Sequence, residues 1–472
     1  MQPKGREALP FCPVEQRCGA CQLLSVPYER QLADKQARIA TLFDELADES
    51  CVLHPILGME HPFHYRDKVI SPYAPGKRLA RASHAAYGKD GRRPKGRERS
   101  ARTAREARYA AHEREILCGM YAAGTHRIVP TDECLIENEV AKRVVLAIRD
   151  LMPAFGIEPY DEDAGSGFLR HAVVRVGHES GEVLVTLVTN DQLFPGSKAF
   201  VRELRRRCPE ITTIVQNVNT RQTNVILGER EVRLFGPGFI LDTLCGLSFR
   251  ISSQSFYQVN CTQTEVLYRR AIELARLTGT ETVIDAYCGT GTIGLVAARG
   301  VDARGAGSGS AGSEPEGTPA GSPVAPPAHA ARVIGVDEVA SAIRDARANA
   351  QHNGIENAEF VVADAGSFMR ELAQSAREAG EEHARRDPAA GNAGFIDVVL
   401  MDPPRAGASE EFLAALAALA PARVVYISCN PLTQARDVAY LVERGYRLES
   451  LQPVDMFPHT EHVENIAVCV RS

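Results

Sequence analysis

No uninterrupted apolar run in the 472 residues comes near the roughly 18 residues of a membrane-spanning helix, which excludes an integral membrane protein and a membrane partner. An apolar leader is missing as well. Residues 1–21 are polar and carry Lys4, Arg6, Glu7, Glu15 and Arg17, so no secretory signal is expected and a cytoplasmic location is. Nor is positive charge in overall excess: the net charge is -6, which taken alone argues against a nucleic-acid partner. There is no internal repeat, and no obligate protein partner is evident. Twelve cysteines in a long, unsecreted chain are poor material for a disulfide scaffold and better material for metal binding or thiolate chemistry. What remains is ordinary globular composition, 44% hydrophobic and 24% charged, in a chain long enough for about two to four domains.

The charge is unevenly spread. Segment 77–114 holds 13 Lys or Arg against 4 Asp or Glu, a net of +9, which leaves -15 on the remaining chain. With Gly91-Arg92-Arg93-Pro94-Lys95-Gly96-Arg97 at its centre, it reads as a basic insertion able to neutralise phosphates, or as a merely solvated loop. In segment 301–331, 23 of 31 residues are Ala, Gly, Pro or Ser, a composition that cannot build a core. A third irregular stretch, 379–394, separates a helix from the strand that follows it. Between about residues 63 and 249, strand-like runs at 171–176, 183–188 and 211–218 occur without regular βαβ alternation, as in a separate α+β domain.

From Gln258 onward helices and strands alternate. A helix at 264–277 precedes Thr282-Val283-Ile284-Asp285, and further strands are expected at 333–337, 359–363, 396–401, 424–428, 448–454 and 466–470. Seven strands with intervening helices indicate an α/β, doubly wound, largely parallel sheet, whose chemistry lies at the carboxyl ends of the strands. There the chain reads Asp285-Ala286-Tyr287-Cys288-Gly289-Thr290-Gly291-Thr292-Ile293-Gly294, which contains G-x-G-x-x-G and opens a helix. The next strand ends in Asp337; once the 31-residue insertion is removed, it lies about 21 residues after Asp285, the spacing of an acid that binds ribose hydroxyls. A nicotinamide dinucleotide and S-adenosylmethionine both fit this pattern, and Asp285 favours the latter. Asp364 stands where an adenine contact is expected, and Asp402-Pro403-Pro404-Arg405 can present an acid and a rigid turn to a planar base.

Ser428-Cys429-Asn430-Pro431 puts a cysteine at the end of an apolar strand on the same sheet edge as Asp402. A strand cysteine is usually inert, but this position favours a nucleophile. The run from Asp455 to Asn465 concentrates acids and imidazoles, one of which could be a general base. At the other end of the chain, Cys12, Cys18 and Cys21 form C-x5-C-x2-C, and Cys134 supplies a fourth thiol. Spacing alone leaves zinc and an iron–sulfur cluster equally open; a radical S-adenosylmethionine site is disfavoured by the five-residue first spacing and the fourth cysteine.

Together these segments resemble the RNA 5-methyluridine methyltransferase family. The resemblance is carried by Gln254-Ser255-Phe256-Tyr257-Gln258-Val259-Asn260, the Asp-Ala-Tyr-Cys-Gly motif, Asp402-Pro403-Pro404-Arg405, Ser428-Cys429-Asn430-Pro431 and Met456-Phe457-Pro458-His459-Thr460 leading to Glu464. Upstream, Tyr65-Arg66-Asp67-Lys68, Leu169-Arg170-His171 and Gln216-Asn217-Val218-Asn219 resemble the branch acting on 23S ribosomal RNA. The resemblance implies a C-terminal seven-stranded class I methyltransferase (Rossmann-like) domain at 253–472, interrupted at 301–331. It further implies a central α+β RNA-binding domain at 61–252 with the 77–114 insertion, and a short N-terminal iron–sulfur segment and helix at 1–60. It implies that Gln258, Tyr287, Thr292, Asp337, Asp364 and Asp402 surround S-adenosylmethionine and the target base, that Cys429 is the nucleophile and Glu464 the base, and that Cys12, Cys18, Cys21 and Cys134 hold a 4Fe-4S cluster. The chemistry it entails calls for a cysteine of low pKa. Related enzymes often begin with a small OB-like RNA-binding domain, yet only eleven residues precede Cys12, so RNA affinity is expected from elsewhere in the chain. The competing expectations are a nicotinamide-dependent oxidoreductase, in which Cys429 and Glu464 have no role, and a non-enzymatic iron–sulfur RNA-binding module.

Overall fold

The computed structural model describes residues 11–78, 114–301, 329–386 and 396–472. The basic segment 77–114 lies outside these residues except at its ends, as do most of 301–331 and residues 387–394. In chain order the first elements are α1 (Tyr28–Phe43), β1 (Val52–Leu53), β2 (Lys68–Arg78), β3 (Arg114–Tyr121), β4 (Ile128–Pro130), α2 (Glu139–Phe155), β5 (Leu169–Val176), β6 (Val183–Thr189), α3 (Ser197–Arg207), β7 (Ile211–Val218) and β8 (Arg230–Phe235). A hairpin follows, β9 (Phe239–Leu244) and β10 (Leu247–Ser252), then α4 (Cys261–Ala275), β11 (Thr282–Ala286), α5 (Thr292–Arg299), β12 (Arg332–Asp337), α6 (Ala340–His352) and β13 (Ala358–Val362). The last elements are α7 (Ala365–Arg386), β14 (Val398–Met401), α8 (Glu410–Leu419), β15 (Arg423–Ser428), α9 (Pro431–Val442), β16 (Tyr446–Val454) and β17 (Glu464–Arg471). The chain divides into two units, Met1–Ser25 with Phe63–Asp242 and Ile251–Gln254, and Val26–Pro62 with Thr243–Arg250 and Ser255–Ser472. Helix α1 therefore groups with the C-terminal unit and the first cysteines with the other, whereas the resemblance puts 1–60 in one segment.

The first unit is a seven-stranded sheet in the order β4-β3-β2-β5-β6-β7-β8, antiparallel except for the parallel pair β6 and β7. That pair needs a crossover, and α3 supplies it, so one βαβ unit exists where the sequence showed none. The helix is hard to see because Arg205, Arg206 and Arg207 fill its last turn and only Phe200, Val201 and Leu204 are buried. Helix α2 begins at Asn138, whose side chain accepts from the N–H groups of Val140 and Ala141, and stops at Gly156 in the left-handed region. Its Val144, Val145, Ile148 and Met152 pack on Val69, Tyr73, Val174 and Val185, the alternate residues that β2, β5 and β6 turn to one face.

In the second unit eight strands run in the order β1-β16-β17-β15-β14-β11-β12-β13. All neighbours are parallel except β17, which is antiparallel to both β15 and β16. The seven strands read from sequence are all present, and β1 adds an eighth at the edge, two residues too short to leave a periodic signal. Alternation sorts the two faces. Ile284, Ala286, Ile334, Val336, Val399, Met401 and Tyr426 share one core with Ile39, Phe43, Met369, Phe412, Leu416 and Leu441 from α1, α7, α8 and α9. The intervening Val283, Val333, Leu400 and Val425 are equally buried but belong to the other face, where α4, α5 and α6 pack. Strand order reverses beside β11, with β12 on one side and β14 on the other, so the carboxyl ends of β11, β12, β14 and β15 open onto one crevice.

Candidate active site

The loop after β11 is shaped by contacts that only small residues permit. Gly291 enters α5 with φ of 77°, and a Cβ there would come within 2.8 Å of the Phe360 ring. Gly294 lies so close to β11 that a Cβ would stand 2.5 Å from Asp285 Oδ2, the atom that accepts its N–H at 2.9 Å. Asp285 thus fastens the first turn of α5 to the strand. Buried beside Asp402 and Asp337, its carboxyl is pushed up to about 8, burial being the main cause. Asp337 braces the same loop, accepting from Gly289 N–H at 3.0 Å and from Val339 N–H at 2.9 Å. A Cβ at Gly289 would meet nothing within 4 Å, so the loop is open at that point.

The other expected cofactor residues sit around this loop. Tyr287 takes φ of 63° and sets its ring 5.4 Å from that of Phe412. Thr292 Oγ1 is 3.0 Å from the Tyr268 hydroxyl. Asp364 is exposed and accepts from Ser367 N–H at 2.8 Å, capping α7. Gln258 is half-buried just ahead of Asn260, which caps α4 by accepting from Gln263 N–H at 3.1 Å. Thr290, not singled out in the sequence, donates to the Phe256 carbonyl at 3.3 Å and ties that segment to the loop, while the Phe256 side chain remains 67% exposed.

Register brings Cys429 and Glu464 together. Ser428 pairs with Asn465 across the antiparallel β15 and β17, so one residue further out the cysteine stands opposite the glutamate. Glu464 is the first residue of β17, paired with Val454, rather than part of the loop before it. Asp402 follows β14 on the neighbouring strand end. Cys429 precedes α9, and Asn430 Nδ2 donates to the Arg405 carbonyl at 2.9 Å, joining the two strand-end turns. The expectation of a low-pKa cysteine is corrected here: burial, then Glu464 and Asp402, push the Cys429 thiol up to about 11 against the opposing pull of Arg405. Burial likewise holds both carboxyls above their ordinary range, and for Glu464 the nearby Asp402 adds to it. Arg405 is thus a site residue that the sequence supplied only as the end of a turn.

In the first unit Cys21 is pushed up to about 12 by burial and then by the neighbouring Cys134, Cys18 and Cys12, so the four thiols share one neighbourhood. Among the described residues, however, no group of three or more His, Cys, Asp or Glu side chains is arranged to hold a metal ion. Beside Cys134 the buried Lys142 is 2.5 Å from Glu137, and a cavity of about 650 Å³ opens there. The upstream motifs have their own structural work: Arg170 donates to the carbonyls of Asn219 and Arg221, and Asn217 exchanges hydrogen bonds with Gly228.

The sheet order, the glycine loop at its switch point and the acids at the strand ends define an α/β methyltransferase fold. A solved structure with this fold is the tRNA (uracil-54, C5)-methyltransferase of Pyrococcus abyssi, in complex with S-adenosyl-L-homocysteine. It matches with a TM-score of 0.64 and 24% identity, over 98% of this chain and 88% of that one. Residues 324–471 match the family model described as tRNA (Uracil-5-)-methyltransferase. An uncharacterised RNA methyltransferase of Halalkalibacterium halodurans is 36% identical over 97% of this chain and 82% of its own length. One from Listeria monocytogenes serotype 4b is 36% identical over 97% and 83%. The chain belongs to the RNA (uracil-5-)-methyltransferase family. It is an RNA methyltransferase, which removes both the nicotinamide-dependent oxidoreductase and the non-catalytic RNA-binding module.

Proposed function

We propose that this enzyme transfers the methyl group of S-adenosylmethionine to C5 of a uridine in 23S ribosomal RNA, with Cys429 as nucleophile and Glu464 as base. The observation that carries the reading is the strand register that sets Cys429 opposite Glu464, with Asp402 beside them. Uracil C5 is too weakly nucleophilic to take a methyl group unaided. Addition of the Cys429 sulfur to C6 puts the electron pair on C5 as an enolate. S-adenosylmethionine, when bound, supplies the electrophilic methyl that C5 then takes. Glu464 removes the C5 proton, the C5–C6 double bond reforms, and the thiolate leaves. The thiol, its pKa raised by burial and then by Glu464 and Asp402, starts protonated, and because Cys429 is only partly buried its proton leaves to water as the sulfur bonds to C6. Gln258, Tyr287, Thr292, Asp337, Asp364 and Asp402 are proposed to hold the methyl donor and the base, a reading supported by the open space at Gly289 and by Asp337 beside it.

Cys12, Cys18, Cys21 and Cys134 are proposed as ligands of a 4Fe-4S cluster, supported by four thiols from distant segments sharing one neighbourhood. An RNA partner is supported by the relatives, which carry the name RNA methyltransferase. A transfer-RNA uridine is the second reading, favoured by the family model's description. Mapping 5-methyluridine in ribosomal and transfer RNA from cells lacking the protein distinguishes them. Cys429→Ala should abolish transfer, and Glu464→Gln should trap an RNA–protein adduct. Turnover by the first variant sinks the covalent mechanism, and normal turnover by the second sinks the base assignment.

A further inference from the structure

We infer that α1 is a clamp that sets the position of Glu464, and that Gln31 and Lys35 are positioning residues for the proton-removal step. The inference rests on the reading of Glu464 as the base. Residues 455–463 connect β16 to β17 and deliver the chain to Glu464. One face of α1 grips this connection along its length. The Tyr28 hydroxyl donates to Asp455 Oδ2 at 2.9 Å, and Lys35 Nζ donates to Asp455 Oδ1 at 2.7 Å and to the Phe457 carbonyl at 3.3 Å. Arg38 donates to the Glu461 carbonyl at 3.1 Å. Gln31 takes His459 from two sides: Oε1 accepts the backbone N–H at 3.0 Å, and Nε2 stands 3.2 Å from Nδ1. His459 has φ of 65°, a left-handed conformation that a non-glycine residue keeps only when its surroundings impose it.

Gln31 and Lys35 are 1% and 3% exposed, so α1 places two long polar side chains in the interior on a single loop, while Ile39 and Phe43 supply its apolar packing. The grip continues toward the site, because the Phe457 ring packs edge-on at 6.1 Å from His462, and the Arg405 guanidinium reaches His462 Nδ1 at 3.5 Å. A carboxylate displaced by about 1 Å from the carbon-bound proton loses on the order of 100-fold in rate. The addition step depends instead on Cys429, held by β15 and α9.

The test uses the full-length enzyme in single turnover with a uridine-containing RNA substrate. The variants are Gln31→Leu, which buries no unpaired charge, and the double variant Lys35→Met with Asp455→Leu, which removes both charges together. Both should form the methylated RNA–protein adduct at the normal rate and release product at least about tenfold more slowly, with unchanged KM for the methyl donor. Normal release, or addition and release slowed equally, overturns the inference. Glu464→Gln is run alongside. If it traps adduct and the α1 variants do not, the clamp alone is wrong; if it fails to trap adduct, the base reading falls and the clamp with it.

Discussion

Raising the pH from 5 to 8 should cost the C-terminal unit stability, and Asp285→Asn should remove a measurable part of that cost. Asp285 is 1% exposed, and its pKa is raised to about 8 by burial first and by Asp402 and Asp337 after it, while the Gly294 N–H pulls the other way. In the unfolded chain the same carboxyl titrates near about 3.9. Because the folded value is the higher one, the native state keeps a proton that the unfolded state releases, and stability falls as pH rises. The contribution is fully present below about pH 4 and lost as the pH passes through 8. A difference of about four units corresponds to at most about 5 to 6 kcal/mol, at about 1.4 kcal/mol per unit, and relaxation of the site and entry of water reduce it. Asparagine keeps an oxygen for the Gly294 N–H and does not titrate. Urea unfolding of the chain without methyl donor at pH 5, 6, 7 and 8 should give a flatter stability profile for the variant, with the gain greatest at pH 8. Parallel profiles for the two proteins would refute this account of Asp285.

Gly335→Ala should destabilise the same unit, because a Cβ there would lie 2.4 Å from Phe360 and 3.1 Å from the Cys288 sulfur. Overpacking of this kind costs about 1–3 kcal/mol, or several degrees of melting temperature in a unit of this size, and an unchanged melting point counts against it. Replacing Cys12, Cys18, Cys21 or Cys134 should remove iron and sulfide together from anaerobically purified protein, whereas stoichiometric zinc in a colourless, active protein overturns the cluster. Deleting residues 79–113 should weaken RNA binding and flatten its salt dependence by about 0.7 to 0.9 in log–log slope for each phosphate that is no longer neutralised. Identical isotherms at two salt concentrations would show that the basic charge is passive.

The C-terminal sheet was legible because each of its strands is a short β-branched or apolar run ending in a residue with chemical meaning, as in Ile284-Asp285, Val336-Asp337 and Ile427-Ser428-Cys429. Periodicity failed where burial is shallow or the element very short. Helix α3 hides behind its arginines, and β1 consists of Val52 and Leu53 alone. The roles of particular acids were less legible than their positions. Asp285 favours one cofactor by its place in the sequence, yet its carboxylate faces α5 and bonds Gly294; the third glycine of G-T-G-T-I-G is required because that oxygen lies so close. The thiol's raised pKa had no sequence signature, since it arises from burial and then from two carboxyls that converge only through the sheet order. The α1 clamp lay equally out of reach, joining Gln31 to His459 across 428 positions of chain.

The protonation pattern of the site bears on how a thiol pushed up to about 11 can serve as a nucleophile near neutral pH. Cys429, Asp402 and Glu464 lie close enough that each charge penalises the others, and Arg405 is the cation that opposes them. Full ionisation of all three would place three negative charges in one half-buried space, so the substrate-free site retains protons. Burial, with the Asp402 charge adding to it, makes Glu464 a stronger base than an ordinary carboxylate, which suits removal of a proton from carbon better than a group titrating near 4 would. Replacing Asp402 by Asn should therefore lower the pH at which Cys429 adds to the RNA while making Glu464 a weaker base. Adduct formation and product release would then respond in opposite directions to this one substitution, whereas damage to the fold would slow both.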